Sequence, residues 1–211
     1  MEHHMITIGR EFGSGGHKVG QILSQKLNMA YYDNELITLA AKRGDLNEER
    51  LSKFDEKKHH PYFYEINYDG NENVMKGESI SDTLYQLQKD VILDIASKQD
   101  AIIVGRCADF ILKNACIPTL SVFIAAPAEE RIRRTMKIQG LDEKTVIALT
   151  KKKEKTRRSY YERHTKQKWG SPESYDMYFY TENYKDLNEI ADRIAEAYLQ
   201  ESKRFSSEVT L

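Results

Sequence analysis

The stretch Ile6-Thr-Ile-Gly-Arg-Glu-Phe-Gly-Ser-Gly-Gly-His-Lys-Val-Gly20 runs from a β-branched segment through a glycine cluster into an apolar pattern of helical spacing. It reads as strand, phosphate-binding loop and helix. Glycines at 13, 15 and 16 permit backbone conformations closed to other residues, so successive N–H groups can turn inward around an anion at the head of a helix. The expected cradle is the backbone of Gly13, Ser14, Gly15, Gly16, His17 and Lys18. Aligning Gly15 with the last glycine of G-x-x-x-x-G-K-[ST] puts Arg10 at the first glycine, Gly16 at the lysine and His17 at the hydroxyl residue. The loop is shaped for phosphate but chemically altered.

Working outward, 211 residues fit one domain with insertions and a substantial core, although two small domains would also fit. Lysine plus arginine (32) nearly balances aspartate plus glutamate (33), so no global basic field argues for nucleic acid as a partner. Only Cys107 and Cys116 occur, too few for a disulfide framework or a paired CxxC metal site; two buried thiols in a reducing compartment are expected. No apolar run approaches the roughly 18 to 20 residues a bilayer requires, and the N-terminus lacks the apolar centre of a signal peptide. The expectation is a cytoplasmic protein with no membrane partner. His3, His4, His59, His60 and His164 have no metal-ligand spacing, and no metal-ligating residues are assigned.

Beyond the loop, Val19, Ile22, Leu23 and Leu27 continue a helix, and Ala30 to Asp33 is a short strand candidate. Helical patterns follow at Glu35 to Lys42 and Asn47 to Lys57, then an irregular tyrosine- and histidine-rich segment over 59–80. A helix from about Ser81 to Lys98 leads to buried strands at Ala101 to Gly105 and Thr119 to Ile124, with a last strand at Tyr178 to Tyr180. Helices are expected at Glu129 to Ile138, Asp142 to about Tyr161 and Leu187 to Leu199, with fraying after Lys203. Apolar strands alternating with amphipathic helices predict an α/β fold, a mostly parallel sheet covered on both faces. Such sheets bind ligands beyond the carboxyl ends of their strands, where Gly9-Arg10, Asp33, Gly105-Arg106 and Ala125 to Pro127 fall.

Gly9 to Gly16, Tyr32-Asp33, Val104-Gly-Arg106, Glu129-Glu-Arg131, Arg157 with Tyr160-Tyr161, and Trp169 to Tyr175-Asp176 together resemble the cytidylate kinase-like family of P-loop nucleoside monophosphate kinases, over roughly residues 5–199. The resemblance implies a three-layer fold with a five-stranded parallel core, ATP in the glycine loop and a nucleoside monophosphate opposite. It also implies an arginine-bearing helical lid over about 141–173, an acceptor-side insertion over about 34–80, and a core over roughly 5–58, 81–140 and 174–200. CMP or a related pyrimidine nucleotide is the implied acceptor, ATP with Mg2+ the implied donor.

Phosphoryl transfer spreads negative charge over equatorial oxygens, and arginines from separate elements answer that need. Arg106 resembles the arginine that holds the acceptor, unless it pairs with a carboxylate such as Asp109. Arg157, with Glu154, Tyr160 and Tyr161, shares one face of the expected lid helix; an exposed helix pair is the plainer alternative. Six of the eight residues from Lys151 to Arg158 are basic, which a solvated face explains, with binding to a polyanion such as RNA as the open alternative. Asp33 is expected either to receive the acceptor or hold an arginine, or else to cap the helix that follows. Tyr161 is a further acceptor candidate; it, Tyr31, Tyr32 and Tyr160 could stack on a base, although aromatics at strand and helix positions more often belong to the core.

Losing one preorganised charge costs on the order of 3 kcal/mol, roughly a hundredfold in rate, so the missing lysine matters. The Lys18 side chain lies about 200° further round a helix and points away from the phosphates. Arg10, leaving the strand at the mouth of the loop, is the expected substitute, working with Arg157. Imidazole is a poor magnesium ligand, so His17 leaves Ser14 or water to hold the ion. A phosphate-sensing protein that has lost transfer chemistry is the competing expectation.

Overall fold

The computed structural model describes residues 4–44 and 80–208. Five strands, β1 (Met5–Arg10), β2 (Ala30–Tyr32), β3 (Ala101–Val104), β4 (Thr119–Ala125) and β5 (Met177–Tyr180), form one sheet in the order β2-β3-β1-β4-β5. Every pairing is parallel, with Ile6 opposite Ile102 on one side and Leu120 on the other. Around it lie α1 (Gly16–Leu27), α2 (Glu35–Arg43), α3 (Ile80–Ala96), α4 (Ala108–Asn114), α5 (Ala128–Gln139), α6 (Glu143–Thr165) and α7 (Leu187–Glu208). This is the three-layer α/β P-loop fold with a helical lid segment, α6.

Side-chain alternation along the strands divides the core into two layers. Ile6 and Ile8 of β1, Ile102 and Val104 of β3, and Val122 of β4 pack with Val19 and Leu23 of α1 and Ile190 and Ile194 of α7. Met5, Ala101 and Ile103 face the other way, onto Leu36 of α2, Ile92 of α3, Leu112 of α4 and Tyr161 of α6. Each such aliphatic side chain removed from water contributes about 1.5 to 3 kcal/mol.

Three features depart from the sequence reading. Helix α4 is absent from it, yet β3 and β4 are parallel with β1 between them, and such strands need a crossover. The i, i+3, i+4 spacing of buried Ala108, Ile111 and Leu112 was its signal. Helix α7 continues to Glu208, past the expected fraying point at Lys203. Cys107 is buried as expected, whereas Cys116 is exposed because it follows α4 in a left-handed turn at φ 55°. The expected helix at Asn47 to Lys57 and the irregular segment over 59–80 fall almost wholly outside the described residues.

Candidate active site

Loop geometry begins with β1 ending at Arg10 and α1 starting at Gly16. Gly13 (φ 79°) and Gly15 (φ 95°) are left-handed, which turns the chain back over the helix start. Gly15 is the N-cap of α1, with no side-chain cap and no acidic residue in the first turn. The first-turn amides of Gly16, His17 and Lys18 are among those an α-helix leaves without intrahelical acceptors, and they carry the positive end of its dipole. The Ser14 amide is drawn inward to the Glu11 carbonyl (3.3 Å), as is the Ser14 hydroxyl (3.0 Å), and this side chain is fully buried. Its hydroxyl therefore braces the loop. The Lys18 side chain is exposed on α1.

Arg10 occupies the space a lysine at position 16 would need. A Cβ built on Gly16 stands 2.6 Å from the Arg10 Cβ, and the Arg10 guanidinium continues across to Gly105. There Nη2 donates to Asp33 Oδ1 at 3.0 Å. His17 Nδ1 lies 2.8 Å from Asp33 Oδ2 and 2.8 Å from the Tyr31 hydroxyl. Asp33, only 4% exposed, thus bridges Arg10 and His17. It does not cap α2: the N-cap is Asn34, without a side-chain bond, and Glu35 instead accepts the Asp33 N–H.

From the lid side, Arg157 of α6 donates Nη1 to the Arg10 carbonyl (3.2 Å) and lies over the Phe12 ring at 5.6 Å. Burial, and then the Arg10 charge, push Arg157 down to about 9, still cationic at neutral pH. Glu154 is no exposed partner of Arg157; it accepts from Arg131 Nη1. Arg131 of α5, 8% exposed, also donates Nε to the Ala126 carbonyl (3.0 Å) and lies 3.5 Å from Glu11. Arg134 donates to the Gly13 carbonyl (2.8 Å). These two arginines clamp the loop from α5, a role that neither Glu129-Glu-Arg131 nor the position of Arg134 signals in the sequence. The basic run divides accordingly: Lys151, Lys152, Lys155 and Arg158 are exposed, while Lys153 and Arg157 line the cleft.

Past β3 the chain passes through three consecutive left-handed residues, Gly105 (φ 78°), Arg106 (φ 59°) and Cys107 (φ 56°). Non-glycine residues held there cost of order 1 kcal/mol or more each, and such strain clusters at ligand sites. Arg10, Arg106, Lys153 and Arg157 all line one cleft at the carboxyl ends of β1 and β3. Its far wall carries Tyr160, Tyr161, Trp169 and Tyr175. Tyr161 donates to Asp109 (2.7 Å), so the carboxylate considered as a partner of Arg106 is engaged from the lid helix. Tyr160 donates to Gln88 (2.8 Å). Tyr31 and Tyr32 belong to the two core layers.

Among the described residues no group of three or more His, Cys, Asp or Glu side chains is arranged to hold a metal ion, and no helix is long and apolar enough to cross a membrane.

No curated protein matches the chain. Among solved structures, an uncharacterized protein from Eubacterium ventriosum is 28% identical over 92% of this chain and 97% of its own, with TM-score 0.68. A gluconokinase from Sinorhizobium meliloti (11% identical, 97% of both chains, TM-score 0.58) shares the fold. So does a shikimate kinase from Bacteroides thetaiotaomicron (15% identical, 92% of this chain and 97% of that one, TM-score 0.52). The model of the cytidylate kinase-like family matches residues 5–183, and with the loop, the Asp33 bridge and the arginine-lined cleft in that span, the chain belongs to the cytidylate kinase-like family.

Proposed function

We propose that this protein is an ATP-dependent phosphotransferase that moves the γ-phosphoryl group to an anionic acceptor, with CMP or a related pyrimidine nucleotide as the acceptor. The observation that carries this reading is the convergence of Arg10, Arg106, Lys153 and Arg157 on one cleft beside the uncapped head of α1. Two anionic groups, one at the helix head and one in the cleft, would meet across Arg10. Donor phosphates fit the loop because its first-turn amides have no intrahelical acceptors and the N-cap offers no side-chain cap. Arg10 and Arg157, joined through the Arg10 carbonyl, offset charge on the transferring group. Arg106 takes the acceptor phosphate, and Asp33 fixes the Arg10 guanidinium.

The donor set at the loop suits Mg2+ only sparingly. Asp33 is already bonded to Arg10 and His17, and the Ser14 hydroxyl is turned inward. Mg2+ accepts one or two carboxylates together with phosphates and water, so it would enter with the donor nucleotide.

The test is a coupled assay with ATP, Mg2+ and each nucleoside monophosphate in turn. Phosphorylated product from a pyrimidine monophosphate supports the reading, and no product from any acceptor removes it. A second reading, a nucleotide or phosphate sensor without turnover, is favoured by one observation: Gly16 replaces the lysine and His17 is tied to Asp33. Calorimetry separates the two, since a sensor binds nucleotide and makes no product.

A further inference from the structure

The cleft has a second end that the cations do not explain. Asp109, on the first turn of α4, is partly buried and accepts the Tyr161 hydroxyl, which is itself on a side chain only 5% exposed. Thr7 of β1, 2% exposed, lines the same cleft, and its hydroxyl is buried with no hydrogen-bond partner. A buried hydroxyl left unpaired is costly and rare in a folded chain, so one in a cleft wall calls for a ligand group. Tyr160, Trp169 and Tyr175 supply flat apolar surface around these polar atoms. The left-handed run through Arg106 and Cys107 leads from the cationic Arg106 to Asp109, three residues on, in the first turn of α4.

On the reading that the acceptor is a pyrimidine monophosphate, we propose that Asp109 and Thr7 form its base-reading end, with Asp109 selecting a ring that carries an exocyclic amine over one that carries a carbonyl there. An ionised carboxylate only accepts hydrogen bonds, so it pairs with the amino group of cytosine and repels the carbonyl oxygen of uracil. Tyr161 orients the carboxylate through Oδ2. The Thr7 hydroxyl, able to donate or accept, satisfies a second ring atom. Specificity here comes from leaving a buried acceptor unpaired when the wrong base enters.

The experiment compares CMP and UMP as ligands and acceptors of the full chain, by calorimetry and by initial rates, in the wild type, Asp109→Asn and Thr7→Val. The wild type is expected to prefer CMP. Asn presents both a donor and an acceptor, so Asp109→Asn should narrow the CMP-to-UMP ratio of affinities by about tenfold to a hundredfold, with kcat for CMP changed far less than KM. Thr7→Val should raise the melting temperature, because an orphaned hydroxyl is removed, while weakening CMP several-fold. Thr7→Val reads the same end of the cleft independently of whether Asp109→Asn folds. Folded Asp109→Asn with an unchanged ratio, or Thr7→Val that gains stability with no loss of CMP affinity, overturns this assignment alone. A wild type that neither binds nor phosphorylates any monophosphate overturns the parent reading and this one together.

Discussion

The Arg10 side chain lies across Gly16, so close that a Cβ on Gly16 would stand 2.6 Å from the Arg10 Cβ. The missing lysine and the unusual arginine are therefore one feature: the two side chains compete for the same space. Gly16→Lys should destabilise the protein by about 2 kcal/mol through overpacking. Because the clash is with the Arg10 Cβ, which only glycine removes, the double variant Arg10→Gly/Gly16→Lys should be more stable than the sum of its single changes by at least about 1 kcal/mol. Urea denaturation of the three variants measures this; additive effects would contradict it.

Arg10 also faces Asp33 and receives Arg157 at its carbonyl. Under the proposed activity, Arg10→Ala should lower kcat roughly a hundredfold, the expected loss of one preorganised cation at the transferring group. ATP affinity should change much less, since the α1 amides remain. Retained turnover in steady-state assays would remove Arg10 from the reaction.

Arg131 ties three elements together through the Ala126 carbonyl, Glu11 and Glu154. Its side chain is 10% exposed and that of Glu154 21%, so removing one partner strands a charge away from water. Arg131→Gln should cost about 3 kcal/mol. Glu154→Gln should cost less, because Arg131 keeps Glu11 and the carbonyl. A double-mutant cycle by chemical denaturation checks the coupling between loop and lid helix.

Burial raises the Asp109 carboxyl above its ordinary value, outweighing the hydrogen bond from Tyr161 that lowers it. Glu11 is raised for the same first reason, against its Ala126 N–H bond and the Arg131 charge. A raised carboxyl binds its proton more tightly in the folded state than in the unfolded chain. Its contribution is then most favourable at pH below about 4 and declines as pH rises through the folded value. Asp109→Asn removes that decline. The stability of the variant relative to wild type should therefore increase from pH 4 to 7 in urea titrations, and parallel curves would contradict the prediction.

The division between sequence and structure is clear at particular residues. The β-branched run before Gly9 and the left-handed glycines at 13 and 15 are local properties, and local sterics suffice to specify a strand, a tight loop and a helix head. The positions of Arg10 and Arg106 at strand ends followed from the parallel α/β pattern. Helix α4 was legible in Ala108, Ile111 and Leu112 but is too short for periodicity to stand out.

Partner choice was not local. Asp33 lies 23 residues from Arg10 and 16 from His17, while Glu154 lies 23 from Arg131, and nothing in spacing selects these pairs over the nearer Arg157. For Asp33 the sheet order decides, because placing β3 between β1 and β2 sets the ends of all three strands around one cleft; for Glu154 it is the packing of α6 beside α5. The amino-acid order thus specified a glycine loop at a helix head with an arginine at its mouth in place of the usual lysine, since backbone conformation and residue type reside in the chain. Which side chains pair, which line the cleft, and that Thr7 is buried without a partner were settled only by packing, because desolvation and long-range pairing exist only once distant segments meet.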